Sequence, residues 1–362
     1  MGMCLAGVIS RLKNYEVTLL ASSPEQFNDT FRIMDDEAQL SYASGKINVT
    51  DNVEKAIHNA DFIYCTYPAF LRKKFIETAE MFIKPTATLG FIPAYGGAEF
   101  YCEKLLRKGV TFFGLQKPPY VCRTKERGKI AGLMSKKKRL LLAAIPNKKA
   151  IEIAALLEDM LQIKTDILPN YMNVTLLPGN PLLHTSGSYY YLKNYKRGDT
   201  FPEQIFYYQS WNDDCSKIIC DFSDEMMEIC RRIPADLSGV QSIQEYYESK
   251  DPHALTRKFH SIPSFYPLKL PMIKTAVGYI PDFESRFFVE DIPYGVCMIK
   301  ALAKLTGVLT PTVDKILFWY EKETGKEYFK KNGDFGKNIE ETAIPQLFGI
   351  DSIDKLVEFY NR

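Results

Sequence analysis

Apolar positions in the first part of the chain switch between a helical and a strand period. Residues 4–13 carry apolar side chains at helical spacing. A compact β-rich run follows at 16–21 and closes in the turn residues Ser22, Ser23 and Pro24. The same alternation predicts a short helix at 52–60, a strand at 61–68, a helix at 69–83 and a strand at 87–93. It continues with a helix at 102–109 closed by Gly109, a strand at 110–116, a strand at 137–146 and a helix at 148–162. Strands alternating with helices of this length predict βαβ units and a mostly parallel sheet. The strands read as continuous apolar runs, as expected when both faces are covered.

Past about Asn170 the texture changes, and helical patterns dominate at 202–233, 242–249, 294–307, 310–325 and 352–361. Thr310 is placed to cap the fourth of these, with Pro311 at its first helical position. The best boundary lies near Pro169–Asn173. The chain therefore divides into residues 1–169, an α/β nucleotide-binding-type domain, and residues 170–362, an all-helical domain.

Composition trims the options. Lys and Arg number 46 against 44 Asp and Glu, giving +2, so no field of either sign points to a nucleic-acid or polyanion partner. With only four histidines and no C-x-x-C among eight cysteines, no metal site is expected. The cysteines sit in apolar stretches, as buried reduced thiols of a cytoplasmic protein do. No apolar run approaches the ~20 residues that span a bilayer, and no signal peptide is evident, so no membrane partner is expected.

The opening residues read as the middle of an α/β domain. Such a domain begins strand, Gly-rich turn, helix, with a dinucleotide's pyrophosphate on the helix N-terminus. Here the first helix and the second strand are present, and the first strand and its turn are missing. The expectation is a clipped start, short by roughly 10 residues. Gly2 falls where the last small residue of G-x-G-x-x-G/A would lie. The second strand ends in Ser22 and Ser23 rather than the acid that holds an NAD ribose, which tilts the cofactor towards NADP over NAD. Pro68 stands in a strand-end loop where a cofactor would cross the sheet edge.

Two later segments carry candidate chemistry. Residues 176–187 hold His184, and residues 285–295 hold Arg286, Glu290 and Asp291. A histidine can exchange a proton near neutral pH, and a buried carboxylate can fix its tautomer. An arginine offers a planar fork to a substrate carboxylate. Spacing alone does not join these into a dyad. Single histidines are more often structural, and an acidic pair before a helix often only complements its dipole. His253 and His260, in polar, loop-like surroundings, and His58, on a helix face, receive no role.

The two segments together resemble the opine dehydrogenase family, of the octopine and nopaline type. The first reads Asn180-Pro181-Leu182-Leu183-His184, matching N-P-x-x-H. The second runs from Arg286 through Glu290-Asp291-Ile292-Pro293 to Gly295, matching R-x-x-x-E-D-[IV]-P-x-G. Thr66 to Ala69 and Pro119 to Arg123 add to the likeness. The resemblance implies a Rossmann-type domain followed by a helical domain like that at the C-terminus of 6-phosphogluconate dehydrogenase. It implies an NAD- or NADP-dependent oxidoreductase that condenses a 2-oxo acid with an amino acid or other amine, and runs the reverse. By carry-over His184 is the acid/base, Asp291 its orienting partner, and Arg286 and Asn180 bind substrate. A homodimer is an assembly it allows.

Two alternatives stay open at the level of sequence. One is an NADP-dependent 2-oxo or hydroxy acid reductase without amine condensation. The other is a non-catalytic nucleotide-sensing homologue. Tyr189 to Tyr191, Tyr207 and Tyr208 read as core packing ahead of pocket lining.

Overall fold

The computed structural model describes residues 1–176 and 179–362. It divides into two units, Met1–Thr175 with Phe359–Arg362, and Leu176–Glu358.

In chain order the first unit opens with α1 (Gly2–Ile9), β1 (Thr18–Leu20), β2 (Arg32–Asp35), β3 (Leu40–Ala43), β4 (Asn48–Thr50) and α2 (Val53–Ile57). There follow β5 (Phe62–Cys65), α3 (Ala69–Ala79), β6 (Thr88–Phe91), α4 (Glu103–Arg107) and β7 (Thr111–Leu115). It continues with β8 (Tyr120–Glu126), β9 (Ile130–Lys136), β10 (Arg139–Ile145), α5 (Ala150–Leu161), β11 (Lys164–Ile167) and α6 (Met172–Thr175). The main sheet has the order β11-β10-β7-β6-β5. Strands β5, β6 and β7 run parallel, so their carboxyl ends share one edge. β1 and β4 form a separate parallel pair. Among the described residues no strand joins that pair to β5.

Three details depart from the pattern reading. The first helix stops at Ile9 instead of reaching residue 13, because the Ser10 carbonyl packs against Gly45, where a Cβ would stand 1.8 Å away. The sheet is mixed, since β10 is antiparallel to β7. The connection between those strands is a hairpin, β8–β9, instead of a helical crossover, and hairpins reverse direction. That hairpin joins β2 and β3 in a second sheet of order β3-β2-β9-β8, which no run had suggested. Helix α1 buries Met3, Cys4, Leu5, Ala6 and Ile9, on more than one side, in a core with Ile33, Leu133, Leu142 and the apolar face of α5.

The second unit contains α7 (Asn180–Leu192), α8 (Asp213–Arg232), α9 (Ile243–Tyr246), α10 (Pro252–His260) and α11 (Arg286–Val289). After a π-helical segment, Ile292–Val296, come α12 (Cys297–Thr306), α13 (Pro311–Thr324) and α14 (Ile353–Tyr360). A short hairpin, β12 (Met272–Thr275) with β13 (Gly278–Pro281), interrupts the helices. Helix α8 is well signposted: Asn212 accepts from the Cys215 amide, Asp213 and Asp214 stand in its first turn, and Arg231 and Arg232 in its last.

Residues 202–212, expected as part of that helix, are not helical. Phe201 and Phe206 bridge to Tyr279 and Lys269, and Tyr207, Tyr208 and Trp211 are buried in one aromatic cluster. Aromatics on consecutive positions bury on several sides, which one helix face does not allow. His253 and His260 lie on α10 rather than in loops. Thr310 occupies the cap position of α13 but makes no side-chain cap bond. Glu225 of α8 takes the amides of Thr312 and Val313 instead, at 2.6 and 3.0 Å.

Candidate active site

His184 sits one turn into α7, which Pro181 starts. Leu177 and Pro178, upstream in the same segment, lie outside the described residues. The His184 Nδ1 meets Asp291 Oδ2 at 2.7 Å, with 3% of the Asp291 side chain exposed and 17% of His184. An ionised carboxylate only accepts, so Nδ1 carries the proton and donates it, and Nε2 is the nitrogen left for other chemistry. The imidazole stacks on Phe287 at 3.6 Å and 4°. Tyr207 stands edge-on to both rings, and its hydroxyl donates to the carbonyls of Leu183 and His184 at 2.8 and 2.7 Å. The histidine is thus held from the ring face, the ring nitrogen and its own backbone.

The preceding acid does matching work on a second side chain. Arg286, on α11, donates from Nε to Glu290 Oε2 at 2.7 Å, with a second contact from Nη2 to the same oxygen. Glu290 is buried while 66% of the Arg286 side chain is exposed. A buried carboxylate therefore holds one edge of the guanidinium of a largely exposed arginine. Consecutive residues Glu290 and Asp291 serve two different partners because the backbone turns between them. The π-helical segment that follows Asp291 widens the turn there.

One glycine explains how two motifs far apart in sequence meet. A Cβ on Gly295 would stand 2.4 Å from Cβ and Cγ of Pro181. The proline that opens α7 therefore seats directly on the glycine that ends the second motif. Asn180 opens α7 and is exposed.

The cofactor-side residues gather in the first unit. Gly2 begins α1, and a Cβ there would lie 3.2 Å from Thr66 Oγ1 and 3.8 Å from Leu19 Cδ1. That places the α1 N-terminus against the ends of β1 and β5. The first turn of α1 carries no acid and no side-chain cap, so its amides suit an anion. Ser22 and Ser23 follow β1, with Glu25 in the short turn Pro24–Gln26. Pro68 precedes α3 at the carboxyl end of β5. These residues fit the phosphate and ribose end of a dinucleotide, with hydroxyls where an acid would select against a 2′-phosphate. Among the described residues there is no G-x-G turn.

Sequence reasoning missed Phe287 and the part Glu290 plays for Arg286. Neither had a signal: an aromatic beside an arginine is common, and ring stacking across two segments leaves no spacing.

Comparison with known proteins places this geometry. Residues 167–324 match the family model for the NAD/NADP octopine/nopaline dehydrogenase alpha-helical domain. Tauropine dehydrogenase of Arabella iricolor is 27% identical, over 98% of this chain and 96% of its own length. Opine dehydrogenase of Haliotis discus hannai is 29% identical, over 86% and 82%. The chain is thus similar to opine dehydrogenases, over its helical part in the family model and along most of its length in these relatives. A solved octopine dehydrogenase, with NADH and pyruvate, shares the fold at a TM-score of 0.88, 24% identity, and coverage of 98% of this chain and 94% of that one. The region matched by the family model is the one that holds His184, Arg286 and Asp291.

Proposed function

We propose that this chain is an NAD(P)-dependent opine dehydrogenase, which condenses a 2-oxo acid with the amine of an amino acid and reduces the product. The observation that carries the reading is the Asp291–His184 pair with Arg286 beside it in the family's helical domain. When bound, the reduced nicotinamide supplies the hydride. The α1 amides from Gly2 onward, with Ser22, Ser23 and Pro68, would hold the dinucleotide. The family model's own description covers both NAD and NADP, and the paired serines favour NADP.

The chain's residues supply position and protons. Arg286, anchored by Glu290, offers its fork to the carboxylate of the oxo acid. Asn180 at the start of α7 adds a polar contact to substrate. Amine attack on the 2-oxo carbon gives a carbinolamine, which must lose its hydroxyl as water before reduction. His184 Nε2 takes up the proton that the amine gives off on attack and then donates it to that departing oxygen, and Asp291 stabilises the imidazolium in between. In the reverse direction the same nitrogen accepts the proton.

Among the described residues no helix is long and apolar enough to cross a membrane. We place the enzyme in the cytoplasm, on the strength of eight free thiols, and give it small-molecule substrates.

The test is oxidation of NADPH and NADH by the purified chain with a 2-oxo acid, with and without amino acids. Turnover that requires the amine is expected. Equal rates without it would assign the chain to plain 2-oxo acid reduction, and failure to bind either nucleotide would end the enzymatic reading.

A further inference from the structure

Of the eight cysteines, seven are buried and Cys122 is the one with partial access to solvent. It lies on β8 just after a register shift between Val121 and Cys122, a bulge that re-aims the side chain. Its cross-strand partner on β9 is Leu133, and the next pair is Arg123 with Gly132. Cys4, on α1, directs its thiol to the Gly132 carbonyl at 3.7 Å. Met1, one helical turn before Cys4, has its sulfur 3.9 Å from the Cys122 sulfur. The buried thiol of Cys4 therefore hangs over the β8–β9 seam within one residue step of Cys122. Cys122 packs against the same core cluster that contains Cys4.

We propose that Cys4 and Cys122 form a redox-active pair, which a peroxide-class oxidant closes into a disulfide between α1 and β8. The pair has a direction: each thiol acts on the other, which holds the Cys122 thiol below the usual range and pushes Cys4 above it. The other six thiols are pushed up by burial. Cys122 is thus the partly accessible nucleophile and Cys4 the resolving thiol.

The chemistry balances in two steps. The Cys122 thiolate attacks one peroxide oxygen, the O–O bond breaks, and Cys122 becomes a sulfenic acid while the departing hydroxide takes up a proton to become water. The Cys4 sulfur then attacks the Cys122 sulfur. The S–O bond breaks, the S–S bond forms, and the released hydroxide leaves as a second water with the Cys4 proton. Two thiols are oxidised by two electrons, and one peroxide is reduced to two waters. The closed bond would tether α1 one turn from Gly2, so the pair sits where it can sense the state of the nucleotide-binding helix.

The test treats the full chain with hydrogen peroxide at neutral pH, alkylates the remaining thiols, and maps peptides without reduction. The expected product is a Cys4–Cys122 cross-link lighter by two hydrogen masses, with titratable thiols falling from eight to six. Dithiothreitol should restore all of them. In Cys4→Ala the cross-link should vanish and Cys122 should accumulate as a dimedone-reactive sulfenic acid. Oxidation of Cys122 while Cys4 stays alkylatable in the parent chain would overturn the proposal. So would a cross-link from Cys122 to any other cysteine, or eight intact thiols after treatment. None of these readouts depends on turnover, so the pair stands or falls separately from the proposed reaction.

Discussion

Glu290 and Asp291 in the helical unit are buried, and each is aimed at a nitrogen-bearing partner, Arg286 and His184. Glu99 in the first unit is more deeply buried and meets only hydroxyls. Thr175 and Tyr360 donate to its Oε1 at 2.5 and 2.6 Å, and its Oε2 has no hydrogen-bond partner among the described residues. The nearby buried Arg72 spends its guanidinium on the carbonyls of Tyr67, Pro93 and Tyr95. Comparable burial therefore leads to opposite chemistry. A carboxylate paired with a cation or imidazole can stay charged and work, whereas one given only neutral donors is driven towards its protonated form. The contrast supports the proposed proton chemistry of the helical unit and a structural role for the buried acid of the first.

The strongest way to break that assignment is His184→Ala. If Nε2 carries the proton, kcat should fall by about 10²–10⁴-fold while nucleotide binding, measured by fluorescence titration, is unchanged. Retained turnover would dissolve the dyad. Arg286→Lys is the next largest. Lysine keeps the charge but loses the fork that Glu290 anchors, so KM for the oxo acid should rise roughly 10–100-fold with a smaller change in kcat. A change confined to kcat would move Arg286 from substrate binding to the chemical step.

Gly295→Ala tests whether the two motifs are locked together. A methyl 2.4 Å from Pro181 forces α7 or the π-helical segment to shift. Overpacking of this kind costs about 1–3 kcal/mol, read from urea melts. Turnover should drop alongside, because the shift separates His184 from Asp291. Undiminished stability would show that the seat is loose.

How much of this was legible follows the same division. The α/β alternation could be read at β1, β5, β6 and β7 and at the helices beside them because each is a local period, whereas β2, β3 and β4 could not. His184, Asp291 and Arg286 could be named because their segments carry a family's pattern, although spacing alone left them unpaired. The mixed sheet could not be read, since the β8–β9 hairpin changes direction by tertiary pairing with β2. Nor could the buried acids be told apart. Glu99 is one acid in a turn next to Ala98 and Phe100, and nothing local says that Thr175 and Tyr360, the latter 261 positions away, will close over it. The cap of α13 failed for a related reason: Glu225, distant in sequence, reached the amides that Thr310 was expected to serve.

The smallest predicted effect tests the other side of the contrast. Burial raises the Glu99 carboxyl above its ordinary value, against the lowering pull of Thr175 and Tyr360. In the unfolded chain the same group ionises normally. As pH rises past the unfolded value, the unfolded chain releases its proton first, and the folded state loses stability relative to it until the folded group also ionises. Glu99→Gln keeps an oxygen acceptor for both hydroxyls and cannot ionise, so it escapes that loss. Urea melts of the parent and Glu99→Gln should converge near the ordinary carboxylate range of about pH 4 and separate towards about pH 8, with the variant the more stable. Separation in the opposite sense, with the parent gaining on the variant as pH rises, would mean that Glu99 is held as an anion. The first unit would then contain a paired carboxylate after all, with Arg72 the nearest cation to supply the pairing.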